Sequence, residues 1–185
     1  MRYEKTVILK NGKPCLLRGA DGDDAGAVYS VFVQTHAQTD FLLSYPDEIT
    51  MTEEEERQYL EEHAKSSNAI EICAYVDGIP AGTGGISPVG TCSKLAHRAS
   101  FGVAVDKSFW GLGIGRALTQ ASLECAKAAG YSQVELDVVA ENQSACSLYR
   151  SLGFREYGRN PKGFRSRSGQ WQELILMYLD LNDLH

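Results

Sequence analysis

Apolar side chains recur along this chain with two periods, two and about 3.6, and the switches between them mark its elements. Thr6–Leu9 and Cys15–Arg18 flank Asn11-Gly12, a strong hairpin turn signal. Asp21–Asp24 then put acidic groups at the start of a helix running to about Gln38, with Ala25, Val28, Tyr29, Phe32 and Val33 as its apolar positions. Thr39–Thr50 (TDFLLSYPDEIT) reads as a loop, and Thr52 with Glu55 fits a capping box for a second helix reaching about Lys65. The Glu53–Glu56 run reads as a solvated first turn facing the positive end of that helix.

Strand-like runs follow. Ala69–Val76 stops at Asp77-Gly78, a second hairpin turn, and Ile79–Ser87 is glycine-rich but bounded by turns. His97–Val105 alternates and ends at Asp106. From Gly113 to Ala129 the period lengthens: Ile114, Ala117, Leu118, Ala121, Cys125 and Ala128 form one stripe of a helix closed by Gly130. Val134–Val139 is a strand, Asn142 caps a short helix carrying Ala145, Leu148, Tyr149 and Leu152 on one face, and Phe154–Gly158 and Trp171–Leu179 are two last strands. The order β, α, α, β, β, β, α, β, α, β, β implies an α/β fold with a central mixed sheet flanked by about four helices, in one domain spanning residues 1–185.

Composition adds exclusions. Eighteen Lys+Arg against twenty-four Asp+Glu leave a formal charge of −6, which speaks against a nucleic-acid partner. No run of eighteen apolar residues is present, so no membrane partner is expected, and the first residues lack a secretory pattern. Cys15, Cys73, Cys92, Cys125 and Cys146 are odd in number and without a C-x-x-C pair, so neither a metal site nor a disulfide framework is expected. They read as reduced thiols of a cytoplasmic protein, with Cys92 the most exposed.

Chemistry concentrates in Val103–Leu118, where a strand ends, a glycine-rich loop follows and a long helix begins. Free N–H groups at such a helix start, with the helix dipole behind them, make an anion site suited to a pyrophosphate. Arg116 adds a charge. The dinucleotide fingerprint fails because Arg116 stands where its third glycine belongs, and the phosphate-binding P-loop fails for want of a Gly-Lys-Ser/Thr ending. A second block follows: Glu135-Leu-Asp-Val-Val-Ala-Glu-Asn142, then Leu148-Tyr149 and Gly153-Phe154.

The two blocks, in this order and spacing, resemble the GNAT (GCN5-related N-acetyltransferase) family over about Ala99–Glu156. The family's loop signature has Arg or Gln, two residues, Gly, one residue, then Gly or Ala; Gly113 and Gly115 match it, while Trp110 replaces the Arg or Gln. The resemblance implies acetyl-CoA as co-substrate, lying in a V-shaped opening where Phe101–Val105 and Val134–Val139 splay apart. It implies that the pantetheine arm pairs with the backbone of Val103 and Val105. The pyrophosphate would then rest on the amides of Trp110, Gly111, Leu112, Gly113, Ile114, Gly115 and Arg116, and Asn142 would contact the coenzyme or simply cap its helix.

Tyr149 falls at the family's general-acid position, and a phenol keeps its proton at neutral pH. Members often carry a base Glu near Ala99–Ser100, which this chain lacks. His97, two residues before Ala99, takes that role here, with Glu71, Asp137 or a water chain as rivals. The implied activity is acetyl transfer to an amine, assisted by a backbone N–H such as that of Val105, with no metal; a non-catalytic acyl-CoA sensor is the alternative.

The acidic residues Asp40, Asp47, Glu48 and Glu53–Glu56 favour a small cationic acceptor. Arg159, Lys162, Arg165 and Arg167 point instead to an acidic partner or a solvated hairpin, and a peptide amine is the third acceptor class. Homodimers are common in the family, which makes a homodimer one expectation.

Overall fold

The computed structural model describes residues 1–183. The two glycine turns do what the sequence predicts: the first joins β1 (Glu4–Ile8) to β2 (Pro14–Gly19), and Asp77-Gly78 joins β3 (Ile70–Val76) to β4 (Ile79–Pro88). Between the hairpins lie α1 (Ala25–Gln38) and α2 (Glu53–Lys65). Then come β5 (Arg98–Val105), α3 (Ile114–Ala128), β6 (Gln133–Val139), α4 (Gln143–Ser151), β7 (Arg155–Arg165) and β8 (Trp171–Asp180). No helix among the described residues is long and apolar enough to cross a membrane.

All eight strands form one sheet in the order β1-β2-β3-β4-β5-β6-β8-β7. Every neighbouring pair is antiparallel except β5 and β6, which run parallel. That parallel ladder is short: it joins Arg98–Ser100 to Gln133–Glu135 and stops. Beyond it β5 and β6 diverge. A bidentate ion pair between Arg98 and Glu135 closes the joined end, with Gln133 donating to the same carboxylate at 2.7 Å.

Strand alternation sorts the side chains onto two faces. Ile70, Ile72, Phe101, Val134 and Met177 join the main core, against Leu118 and Cys125 of α3 and Cys146 and Tyr149 of α4. Cys73, on the other face, packs with Ala25, Val28 and Leu60 of α1 and α2 in a smaller cluster.

Three expectations need correction. The α1 face turned inward is Val28, Val31, Thr35 and His36, while Tyr29, Phe32 and Val33 stay half-buried. Burying Thr35 and His36 is affordable because both bond within the helix, Thr35 to the Val31 carbonyl at 2.8 Å and His36 to that of Phe32 at 2.7 Å. In α2 the capping box forms, with Glu55 N–H donating to Thr52 Oγ1 at 3.2 Å, but Glu56 is buried and desolvation raises its carboxyl above the usual range. Strand β7 runs well past Gly158; bulges absorb its glycines and proline, which an edge strand tolerates because one side needs no partner.

Candidate functional site

The gap between β5 and β6 is the sheet's main irregularity. Asp106 N–H donates to Ala81 of β4 at 2.9 Å, which fixes the parity: the even residues of β5 turn their backbone groups toward β4. Those of Val103 and Val105 therefore face the gap. On β6, Ala140 N–H bonds Glu173 of β8, so Asp137 and Val139 face the gap from the other wall. The Val139 carbonyl accepts Asn142 N–H at 2.9 Å and that of Val105 is taken by a side chain of the following loop, but the remaining groups have no strand opposite them, and such groups inside a sheet invite an extended ligand carrying amides of its own.

At the open end of β5 the chain makes a short turn, Lys107–Phe109, fastened by Asp106. The Asp106 carboxylate accepts Ser108 N–H at 2.7 Å and Ser108 Oγ at 2.6 Å. Desolvation works against its charge, yet these bonds and Gln38 hold its carboxyl below the usual range. Lys107 N–H donates to Gln38 Oε1 at 2.8 Å, tying the turn to the end of α1. Trp110, half-exposed, donates from its indole to the Val105 carbonyl at 2.7 Å. The indole thus anchors the loop to the strand, a function the Arg or Gln of the signature would not supply in the same way.

Gly111 and Gly113 have φ of +78° and +98°, a region L side chains avoid. Lys10 N–H of the first hairpin supports the Leu112 carbonyl at 3.1 Å from below. The first helical bond of α3 is Ala117 N–H to Gly113, at 3.0 Å. The Trp110 N–H, expected among the pyrophosphate donors, is taken by the Lys107 carbonyl at 3.2 Å; among the described residues those of Gly111 through Arg116 have no protein acceptor, and they lie at the positive end of a fifteen-residue helix. The Arg116 side chain does not join them; it donates to Ser151 Oγ on α4 at 2.6 Å.

Across the gap, Asn142 Oδ1 accepts Ala145 N–H at 3.2 Å as the α4 cap. Tyr149 is only 7% exposed, edge-on to Phe101 at 6.2 Å and tilted against Phe154 at 5.7 Å. Among the described residues nothing hydrogen-bonds its hydroxyl, and burial raises its pKa well above that of a free phenol. Cys125 and Cys146 are buried and packed in the core, whereas Cys92 is exposed.

His97 is not brought to this place. It precedes β5 at the joined end of the two strands, is exposed, and its carbonyl accepts Ser132 and Gln133 N–H at 3.1 Å. The period-two argument that put it beside Ala99 leads to the wrong side, because Ala99 faces the packed core. The open face carries Ser100, Gly102 and, from β6, Asp137, together with Glu71 from β3. Desolvation, with Glu135 next, raises the Asp137 carboxyl above the usual range.

Past the end of β6 lies a cleft of about 550 Å³ between the Thr39–Thr50 loop and the segment ending at Gln170, the two regions expected from the sequence to meet an acceptor. Asp40 and Phe41 from the exit of α1, Glu141 from the end of β6, and Trp171 and Gln172 from β8 line it. Glu141 and β8 are the parts of its lining that the sequence did not bring to this place. The basic hairpin beside the cleft is half neutralised. Arg159 bonds Glu156 and Glu173, Lys162 and Arg165 lie 5.1 and 5.2 Å from the Trp171 ring centre, and Arg167 pairs with Asp47 at 2.7 Å. Arg167 also stacks 4.1 Å over Tyr45, and its N–H donates to the Tyr45 hydroxyl at 3.0 Å. The hairpin tip thereby latches the Thr39–Thr50 loop. Arg167→Ala is expected to speed protease nicking within that loop a few-fold at low ionic strength, with the difference narrowing in high salt. Equal nicking rates at low salt would show that the loop is held by other contacts.

Comparison with known proteins agrees with this geometry. Residues 31–154 match the model of the acetyltransferase (GNAT) family. An N-alpha-acetyltransferase of Sulfurisphaera tokodaii is 35% identical over 105 residues, covering 51% of this chain and 62% of that protein. The chain spans 35% to 62% of the length of curated relatives of this kind. Among solved structures, a GNAT-family acetyltransferase from Streptococcus pneumoniae superposes with a TM-score of 0.86 at 28% identity, over 90% of this chain and 99% of that one. A putative acetyltransferase from Salmonella typhimurium, solved with its cofactor acetyl-CoA, shares the fold with a TM-score of 0.80 at 20% identity, over 91% and 94% of the two chains.

Proposed function

This chain belongs to the GNAT acetyltransferase family, and from that premise we propose that it transfers the acetyl group of acetyl-CoA to a small cationic amine by direct attack within a ternary complex. The whole chain acts as one catalytic domain, a reading supported by the unbroken strand order from β1 to β7. The pantetheine arm completes the sheet along Val103 and Val105, and the pyrophosphate takes the free N–H groups between Gly111 and Arg116. Trp110 holds the loop, and Asn142 contacts the arm while capping α4. The amine attacks the thioester carbon, the Val105 N–H stabilises the oxyanion, and the Tyr149 hydroxyl protonates the departing thiolate. Burial keeps that hydroxyl protonated at neutral pH.

The observation that carries the acceptor class is the charge balance of the cleft. Asp40 and Glu141 line it, and among the described residues neither carboxylate has a cationic partner; Arg159 and Arg167 are paired with carboxylates, while Lys162 and Arg165 keep their charge beside the Trp171 ring, away from those two carboxylates in sequence. Unpaired carboxylates around an opening favour a cation entering it. The test is a panel of polyamines, aminoglycosides, amino-acid derivatives and peptides, assayed for acetyl-CoA-dependent release of CoA thiol. Turnover is expected with a cationic small amine; activity confined to peptide N-termini would overturn the acceptor assignment.

A further inference from the structure

We propose that Glu71, a residue of β3, takes the proton from the acceptor ammonium, reaching the gap across two residues that have no side chain. This rests on the acetyltransferase reading above and deepens it.

The argument starts from register. Glu71 stands opposite Gly85 on β4, and Gly85 stands opposite Gly102 on β5, so the three residues form one row on one face of the sheet. Gly102 belongs to the first wall of the gap. The Glu71 side chain lies along this row: its Oε2 is 2.6 Å from where a Cβ on Gly85 would stand. At Gly102 a Cβ would meet nothing within 4 Å, and the residue is exposed. With rungs about 5 Å apart, the carboxylate sits roughly one water molecule from Gly102. A Cβ at 85 would collide first with the Ile70 carbonyl and then with the carboxylate, so backbone and side chain of β3 both require glycine there. A large residue at 102 would close the path from the carboxylate to the gap.

The surroundings suit a proton acceptor. Glu71 is half-buried, under α2, with Glu56 and Tyr59 of that helix and Cys73 of its own strand as titratable neighbours and Thr83 of β4 beside it. Desolvation, reinforced by Glu56 and opposed by Thr83, pushes its carboxyl up to about 7. Such a group is half ionised at neutrality and binds a proton more firmly than an exposed carboxylate does. Asp137, on the opposite wall, is exposed and suited to attracting the ammonium.

The step balances. The Glu71 carboxylate takes one proton from the ammonium, directly or through one water, and the freed lone pair forms the C–N bond as the carbonyl electrons move to oxygen. Collapse re-forms the carbonyl and breaks C–S, and the thiolate takes the Tyr149 proton. The second amine proton restores the tyrosine through water, and Glu71 releases its own to solvent. The net products are the amide, CoA thiol and one proton.

The experiment uses the full chain and, as probe, the panel amine that releases CoA fastest. For the wild type, kcat/KM is expected to rise with pH to a limb near 7, as Glu71 ionises, and then to level off. In Glu71→Gln, the loss at pH 7 is expected to be at least about tenfold, with unchanged CoA affinity by calorimetry. Only the neutral amine then reacts, so log kcat/KM should climb about one unit per pH unit until it meets the wild type. Gly102→Val, a substitution with room to fold, should show the same climb. Ser100→Glu added to Glu71→Gln returns a carboxylate to the same face and should restore the plateau. An unaltered pH profile in Glu71→Gln, or loss of the limb in Asp137→Asn instead, overturns the role of Glu71 while leaving the acetyltransferase reading intact. A wild type that binds CoA without turning over any amine overturns both.

Discussion

Gly113→Glu is expected to lower the affinity for coenzyme A by more than about a hundredfold, roughly 2.7 kcal/mol, with the fold retained. Two effects act together. Gly113 holds φ at +98° as the residue before α3, where a side chain costs about 1–2 kcal/mol of backbone strain. The new carboxylate also competes for the free N–H groups that serve the pyrophosphate and repels its charge. Space is not the obstacle to folding, since a Cβ there would come no nearer than 4.0 Å to Lys10 Cγ. Gly113→Ala separates the two effects, because it carries the strain without the charge, and should lose far less affinity. Calorimetry on both variants reads the difference. Equal affinity in Gly113→Glu and the wild type would place the diphosphate elsewhere.

Tyr149→Phe is the second large effect. Turnover is expected to fall by about a hundredfold, the range of a lost acid catalyst, while CoA affinity stays within about twofold. The aromatic contacts to Phe101 and Phe154 survive the change, and no protein hydrogen bond among the described residues is lost with the hydroxyl, so stability should hold. This makes kcat a clean readout. A variant with wild-type kcat would show that the thiolate takes its proton from another source, and the tyrosine would then be a core residue only.

Much of the fold was legible because local chemistry specified it. Asn11-Gly12, Asp77-Gly78, the Thr52–Glu55 box and the apolar stripe from Ile114 to Cys125 each carry a physical reason that tertiary context did not overrule. The glycine turn before α3 and the helix that carries Tyr149 were legible as elements for a related reason, since loop, helix start and short helix follow one another closely in sequence. What sequence could not fix was the face. Period two says that His97 and Ala99 share a side, but only the packing of α3 and α4 says which side is filled. For the same reason Glu71 could be named but not ranked. Its partnership with Gly85 and Gly102 depends on the register of three strands separated by turns and a long connection. Strand β7 was cut short at Gly158 because glycine and proline break a central strand, and its place at the edge was not visible. The basic hairpin misled in a similar way, because whether Arg167 is free or bound to Asp47 is decided by a loop 120 positions away.

The short parallel ladder has a consequence for endurance. Three residue pairs and one ion pair fasten the five-stranded half to the three-stranded half along that line. A coenzyme threaded between them, as proposed above, would add rungs along this line, and whatever binds only the native form raises its unfolding free energy, by about 2.7 kcal/mol at a hundred times the dissociation constant. If the proposed function holds, the melting temperature of the purified chain should therefore rise with acetyl-CoA concentration, and the seam between the two halves is where its withdrawal would loosen the molecule first.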